Sequence, residues 1–177
     1  RVRSPAASDG YKRQDYCAAS SPSQWQNTAT VGTITLLSVP NALPDNEYAE
    51  LAESLLNAAD EFIAAQAESG YGVMLKGDFV WGSNGDMLNN MMIVSTAYQL
   101  TGEQQYLDAV LLGMDYMLGH NALNKSFVSG YGSHPLTHPH HRFWANDPAN
   151  GYPAPPPGAV AGGPNASPSD PGGEAAA

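Results

Sequence analysis

Asp86-Met87-Leu88-Asn89-Asn90-Met91-Met92-Ile93-Val94-Ser95-Thr96-Ala97-Tyr98-Gln99-Leu100-Thr101-Gly102 is the stretch on which the fold turns. Its spacing predicts a helix from about Asp86 to Leu100, capped by Ser83 or Asn84. Met87, Leu88, Met91, Met92, Ile93, Val94, Ala97 and Tyr98 leave it hardly any polar face, so it should be buried on most sides. Thr101-Gly102 then interrupts the pattern. A further helix is expected from about Glu103 to Leu118, with Tyr106, Leu107, Val110, Leu111, Met114 and Met117 on one stripe. The short connection makes the pair an antiparallel hairpin.

Upstream, Pro44-Asp45 supplies a helix start and Gly70 a stop, while Tyr48, Leu51, Leu55, Ala59, Phe62 and Ile63 recur at helical spacing. Glu47, Glu50, Glu53, Asp60, Glu61 and Glu68 form its expected solvated side. From Ser23 to Val39 the mixture of Trp25, Val31, Ile34, Leu36 and Leu37 with threonines leaves helix and strand undecided. Residues 1 to 24, rich in Ser, Ala and Pro, read as an irregular lead-in. The Pro- and Gly-rich run from Pro153 to Gly173, ending in Glu174-Ala175-Ala176-Ala177, reads on composition as a flexible linker.

The 177 residues suffice for one domain with a sizeable core. Seven basic residues against 17 acidic give a net charge of −10. That balance speaks against nucleic acid and against an anionic membrane surface as partners, since both need clustered Lys and Arg. No apolar run is long enough for a transmembrane helix, and Arg1-Val2-Arg3-Ser4-Pro5 has no apolar run behind it of the kind a signal peptide requires. Cys17, the single cysteine, excludes a disulfide framework or a Cys-based zinc site within this chain.

The chemistry is concentrated between Ser126 and Trp144, where four of the five histidines and the only arginine beyond residue 13 fall. Gly130, Gly132, Pro135 and Pro139 make this an extended, turn-rich loop. The bare spacing of His134, His138, His140 and His141 is compatible with zinc, but no acidic residue lies nearby before Asp147 and the prolines restrict convergence. Tyr131, Trp144 and Trp81 offer flat apolar faces with polar edges, suited to stacking on sugar rings or to core packing. Asp78 and Asp86 flank Trp81 and read as a loop residue and a first-turn residue.

Ser126-Phe127-Val128-Ser129-Gly130-Tyr131-Gly132 followed by Pro139-His140-His141-Arg142 resembles the substrate loop of family 9 glycoside hydrolases, the inverting cellulases and cellobiosidases. Trp81-Gly82-Ser83-Asn84, Ala97-Tyr98-Gln99-Leu100-Thr101-Gly102, Met114-Asp115-Tyr116-Met117-Leu118-Gly119 and Gly158-Ala159-Val160-Ala161-Gly162-Gly163-Pro164-Asn165 are similar to family segments in family order, together covering roughly residues 25 to 165 with a tail at 166–177. The Pro155-Pro156-Pro157-Gly158 lead-in is most similar to the cellobiosidase-like branch. His134 departs from the pattern, which usually has Asn, Lys or Arg there.

The resemblance implies an all-α fold, part of an (α/α)6 barrel of helical hairpins with long irregular loops, and a helix within Ser23–Val39. It implies a secreted enzyme acting on β-1,4-glucan. His140 matches a histidine that hydrogen-bonds sugar at the cleavage point and Arg142 the arginine of the same signature. Tyr131 and Trp144 are the accompanying candidates for sugar contact. The family's Asp-Ala-Gly-Asp and Asn-Glu motifs, which carry its base and acid, do not occur in these residues. Glu174 follows Gly and lacks the surroundings that would raise a carboxyl pKa. The missing motifs make the remainder of a catalytic domain the expected partner. Calcium, known in some relatives, finds no Asp/Asn-rich loop of the required spacing, and no other cofactor is expected. The rival readings are a non-catalytic carbohydrate-binding module and a helical structural domain.

Overall fold

Four helices account for the regular structure of the computed structural model, which describes residues 28–166: α1 (Ala29–Ser38), α2 (Asp45–Ala67), α3 (Ser83–Thr101) and α4 (Gln104–Leu118). A 3-10 turn follows at Pro148–Asn150, and among the described residues after α4 the remaining regular pairing is three isolated β-bridges. The fold is all-α among the described residues. The whole of the expected lead-in at 1–24, with Cys17, and the tail from residue 167 on, with Glu174, lie outside them.

Helix α1 resolves the stretch that propensity left open. Its β-favouring threonines are accommodated because Thr33 and Thr35 donate their hydroxyls to the carbonyls of Ala29 and Val31, one turn back, and Ser38 does the same to Ile34. Thr30, Thr33 and Leu37 form its buried side.

Helix α2 starts at Asp45, as Pro44-Asp45 predicts, with Asp45 and Glu47 in the first turn where they oppose the helix dipole. Leu51, Leu55, Ala58, Ala59, Phe62 and Gln66 are buried. Tyr48, expected on that face, is exposed. The helix ends at Ala67, and the residue that takes a left-handed backbone after it is Gly72 (φ 68), not Gly70. A Cβ on Gly72 would lie 2.5 Å from the Leu112 side chain, so close packing against α4 decides which glycine turns the chain. Asp60, expected among the solvated acids, accepts a hydrogen bond from the Tyr106 hydroxyl at 2.9 Å.

Helix α3 packs on α1, α2 and α4, and Met87, Met91, Ile93, Val94 and Ala97 are buried on its different sides. Met92 is the exposed exception among its large apolar residues. It begins at Ser83, three residues before the expected start. Gly82, left-handed at φ 83, reverses the chain into the helix, and the Gly85 N–H donates to the Gly82 carbonyl at 2.8 Å.

Gly102 (φ 72) closes α3 and leads directly into α4. The two helices run antiparallel, since Gly113 lies against Met87 and Met91: a Cβ there would be 3.0 Å from Met87 Cε and Met91 Sδ. This close approach shifts the buried stripe of α4. Tyr106, Ala109, Gly113, Tyr116 and Met117 face inward, whereas Leu111, expected on the stripe, is 54% exposed. Small residues take the line of contact because only they let two helices approach this closely, and larger neighbours are turned aside.

Buried amides fasten the connection between α2 and α3. Gln66 Nε2 donates to the carbonyls of Gly72 and Ala109, both at 2.9 Å, and Asn90 Nδ2 to that of Met74 at 2.7 Å. Deleting such a partner would strand a buried carbonyl, at about 1–3 kcal/mol.

Candidate functional site

An antiparallel hairpin places the start of α3 and the end of α4 at the same end of the bundle, and two irregular segments converge there. The first turn of α3 holds the segment 161–164. Ser83 Oγ donates to the Pro164 carbonyl at 2.6 Å, Asn84 Nδ2 to that of Ala161 at 3.1 Å, and the Asn84 N–H to that of Gly162 at 3.0 Å. Gly163, at φ 98, makes this possible, since a Cβ would stand 2.6 Å from the Ser83 and Asn84 side chains. The Ala166 N–H reaches the Phe79 carbonyl, so the chain continues along the loop before Trp81. Ser83 and Asn84 were expected as helix caps. Neither caps the helix; both bind backbone about 80 residues away.

The end of α4 holds the other segment. Phe127 N–H donates to the Met117 carbonyl at 2.9 Å, and Gly132 (φ 80) passes so close that a Cβ would meet the Leu118 carbonyl oxygen at 2.7 Å. Beneath it the Tyr116 ring is tilted against Phe127, centroids 5.5 Å apart, and burial pushes the Tyr116 phenol pKa up. Asn121 fixes the bend between helix and loop: its Nδ2 donates to the Tyr116 and Lys125 carbonyls and its Oδ1 accepts from the Leu123 N–H.

The two segments are tied to each other. Ala161 N–H donates to Phe127, Ser129 N–H to Ala159 and Gly158 N–H to Ser129, and the Ser129 hydroxyl donates to Pro156. Val128 bridges to Val160, and Ser129 to Leu136. The Ser-Phe-Val-Ser-Gly-Tyr-Gly run and the Pro-Pro-Pro-Gly to Gly-Gly-Pro-Asn run are therefore one unit mounted on the α3–α4 hairpin.

Beyond this anchored base the loop turns outward. Pro139 is buried, while His138, His140, His141, Arg142, Phe143 and Trp144 are exposed, with Trp144 only marginally so at 37%. Tyr131 is 54% and Trp81 70% exposed. The histidines diverge. His138 Nδ1 pairs with the Thr137 hydroxyl at 2.9 Å, and the His141 ring stacks on Trp144. The His134 carbonyl accepts from the Ser126 N–H. Among the described residues no three His, Cys, Asp or Glu side chains are arranged to hold a metal ion, so the spacing compatible with zinc is not realised as a ligand cluster. Asp86 sits in the first turn of α3 and Asp78 in an exposed bend, as their sequence positions suggest.

The surface left by this arrangement offers imidazole and guanidinium donors beside flat aromatic faces, suited to a ligand rich in hydroxyls. Sequence reading missed two parts of it: the Ser83/Asn84 clamp and the stacking of His141 on Trp144. The glycine preceding Pro164 was the available signal for the clamp.

The model of glycosyl hydrolase family 9 matches residues 4–173, a longer span than the one over which the motifs are legible. The chain is 42% identical over 153 residues to a cellulose 1,4-beta-cellobiosidase of Acetivibrio thermocellus, covering 83% of this chain and 17% of that protein. Endoglucanase C of Cellulomonas fimi is 41% identical over 144 residues, 80% of this chain and 13% of its own length. The chain thus spans less than a fifth of either relative. The crystal structure of a metagenome-derived glycoside hydrolase family 9 endoglucanase superposes with a TM-score of 0.78 at 32% identity, over 94% of this chain and 30% of that one. With the anchored loop pair, the helical hairpin and the order of motifs all in agreement, this chain belongs to glycosyl hydrolase family 9.

Proposed function

We propose that this chain forms one wall of the cleft of a secreted, inverting glycoside hydrolase that cleaves β-1,4-glucosidic bonds of cellulose or a related β-glucan. The observation that carries the proposal is the Ser126–Trp144 loop, anchored on the end of α4 and on the 158–164 segment, presenting His140 and Arg142 to solvent. The names of the relatives, a cellobiosidase and endoglucanases, support the substrate class.

Inversion requires two carboxyl groups about 6.5–9.5 Å apart, one protonating the leaving oxygen and the other activating water. In this proposal neither belongs to residues 1–177. The (α/α)6 barrel to which α1–α4 contribute is completed by other parts of the enzyme, and these supply the pair. His140 and Arg142 donate hydrogen bonds to sugar hydroxyls next to the scissile bond, and Tyr131 and Trp144 lie against sugar faces. Donors fixed in advance stabilise the charge that develops in the transition state without reorganising as it forms. The chemistry needs no metal or organic cofactor.

The test is hydrolysis of cello-oligosaccharides by the full-length protein, with the first-formed anomer followed by NMR. Release of the α-anomer from the β-linked substrate is expected, and the 177-residue chain alone should give no turnover. Retention of configuration would overturn the inverting assignment. Turnover by the 177-residue chain would overturn the placement of the carboxyl pair.

A further inference from the structure

Within the exposed half of the loop, His141 is engaged by both its ring face and its nitrogen. Its ring lies parallel to Trp144, centroids 4.4 Å apart and planes at 8°. Its Nδ1 accepts the backbone N–H groups of Phe143 at 3.1 Å and Trp144 at 3.3 Å. The two amides belong to the second and third residues after it. This is the pattern by which Asx side chains close turns on their own backbone.

Arg142 is the residue inside that turn. No helix or β-bridge includes residues 139–145, so regular structure does not set the arginine's backbone. The neighbouring ties are at the edges. Asn146 Nδ2 donates to the Thr137 carbonyl at 3.0 Å, and the Asn146 N–H to that of Pro153 at 3.0 Å. Between the buried Pro139 and Asn146, the contacts of His141 hold the chain.

We propose that His141 is a positioning residue: its Nδ1 closes a turn around Arg142 and so fixes the backbone from which the guanidinium reaches the cleft. It acts through the arginine and does not touch the sugar. This rests on the reading of the loop as a cleft wall.

Two substitutions in the full-length protein separate the acceptor from the ring. His141→Phe keeps an aromatic ring on Trp144 and removes the acceptor. His141→Asn keeps an acceptor close to the Nδ1 position and removes the ring. Hydrogen exchange of the segment containing the Phe143 and Trp144 amides should quicken about tenfold in His141→Phe and stay near the parent rate in His141→Asn. On cello-oligosaccharides, kcat/KM should fall about tenfold in His141→Phe, mainly in kcat, and return to within about threefold of the parent in His141→Asn. Melting temperatures should remain within a few degrees of the parent. Parent-like exchange and turnover in His141→Phe would overturn the proposal. Equal losses in both variants would overturn it too, because restoring an acceptor at that position would then not be what holds the turn. A parent without turnover would count against the cleft reading, and the exchange measurement would still decide whether His141 closes the turn.

Discussion

The α3–α4 hairpin and the chain from Ser126 to Asn165 are held in contrasting ways. In the hairpin, Met87, Ile93, Val94, Ala97 and Met117 are fully enclosed, and Gly113 lets the two helices close to contact distance. In the loop chain, main-chain hydrogen bonds and a few hydroxyls and amides secure the path, while Tyr131, Phe143 and Val160 remain exposed. The hairpin's stability therefore comes from enclosed apolar area, and the loop's geometry from single polar ties. Substitutions in the first region should be read in unfolding, and those at the outer loop in turnover.

The largest effect expected from that contrast is in the hairpin. Ile93→Ala should destabilise the full-length protein by about 2–5 kcal/mol, as buried Ile truncations do, with kcat/KM of the folded fraction little changed. Urea unfolding and kinetics on one preparation check this; a turnover defect without a stability loss would break the division between the regions.

Gly163→Ala probes the junction where the two regions meet. Its Cβ would clash with the Ser83 and Asn84 side chains in a left-handed backbone, so a cost of about 1–3 kcal/mol is expected together with a clear fall in kcat/KM. Parent-like behaviour on both measures would show that the 161–164 segment is free to shift without consequence.

The smallest expected effect is a pH dependence within the scaffold. The Tyr106 phenol is pushed up from 10.0 to about 12, first by burial and then by the hydrogen bond and charge of Asp60. The raised value means that the folded state favours the protonated phenol. Its contribution is fully present below pH 10 and is lost as pH rises toward 12. Tyr106→Phe should show a shallower fall in melting temperature across that window, with a residual slope from Tyr116, whose pKa burial also raises. Parallel curves for parent and variant would contradict the assignment.

How much of this was legible in the sequence follows the same division. Leu51, Leu55 and Phe62 of α2, and the apolar run of α3, announce their helices because burial and helical spacing coincide. The start of α3 and the stripe of α4 were misplaced for specific reasons. Ser83 and Asn84 look like caps, but their partners at Ala161 and Pro164 are invisible to any local pattern. Gly113 carries little hydrophobic signal, yet its smallness decides which face of α4 meets α3. In the loop, residue types alone gave a cluster of donors, and only the resemblance singled out His140 and Arg142. The stack of His141 on Trp144 depends on a turn that no spacing encodes.

The central claim is that His140 and Arg142 hold sugar while the other loop histidines do not. It is tested most directly by comparing His140→Ala, Arg142→Ala and His138→Ala in the full-length protein on cello-oligosaccharides, all three melting within a few degrees of the parent. The account predicts that kcat/KM falls by about 10²-fold or more for the first two and by less than about threefold for His138→Ala. Equal, mild losses at all three positions would contradict it, and would make the histidine cluster a scaffold rather than a cleft wall.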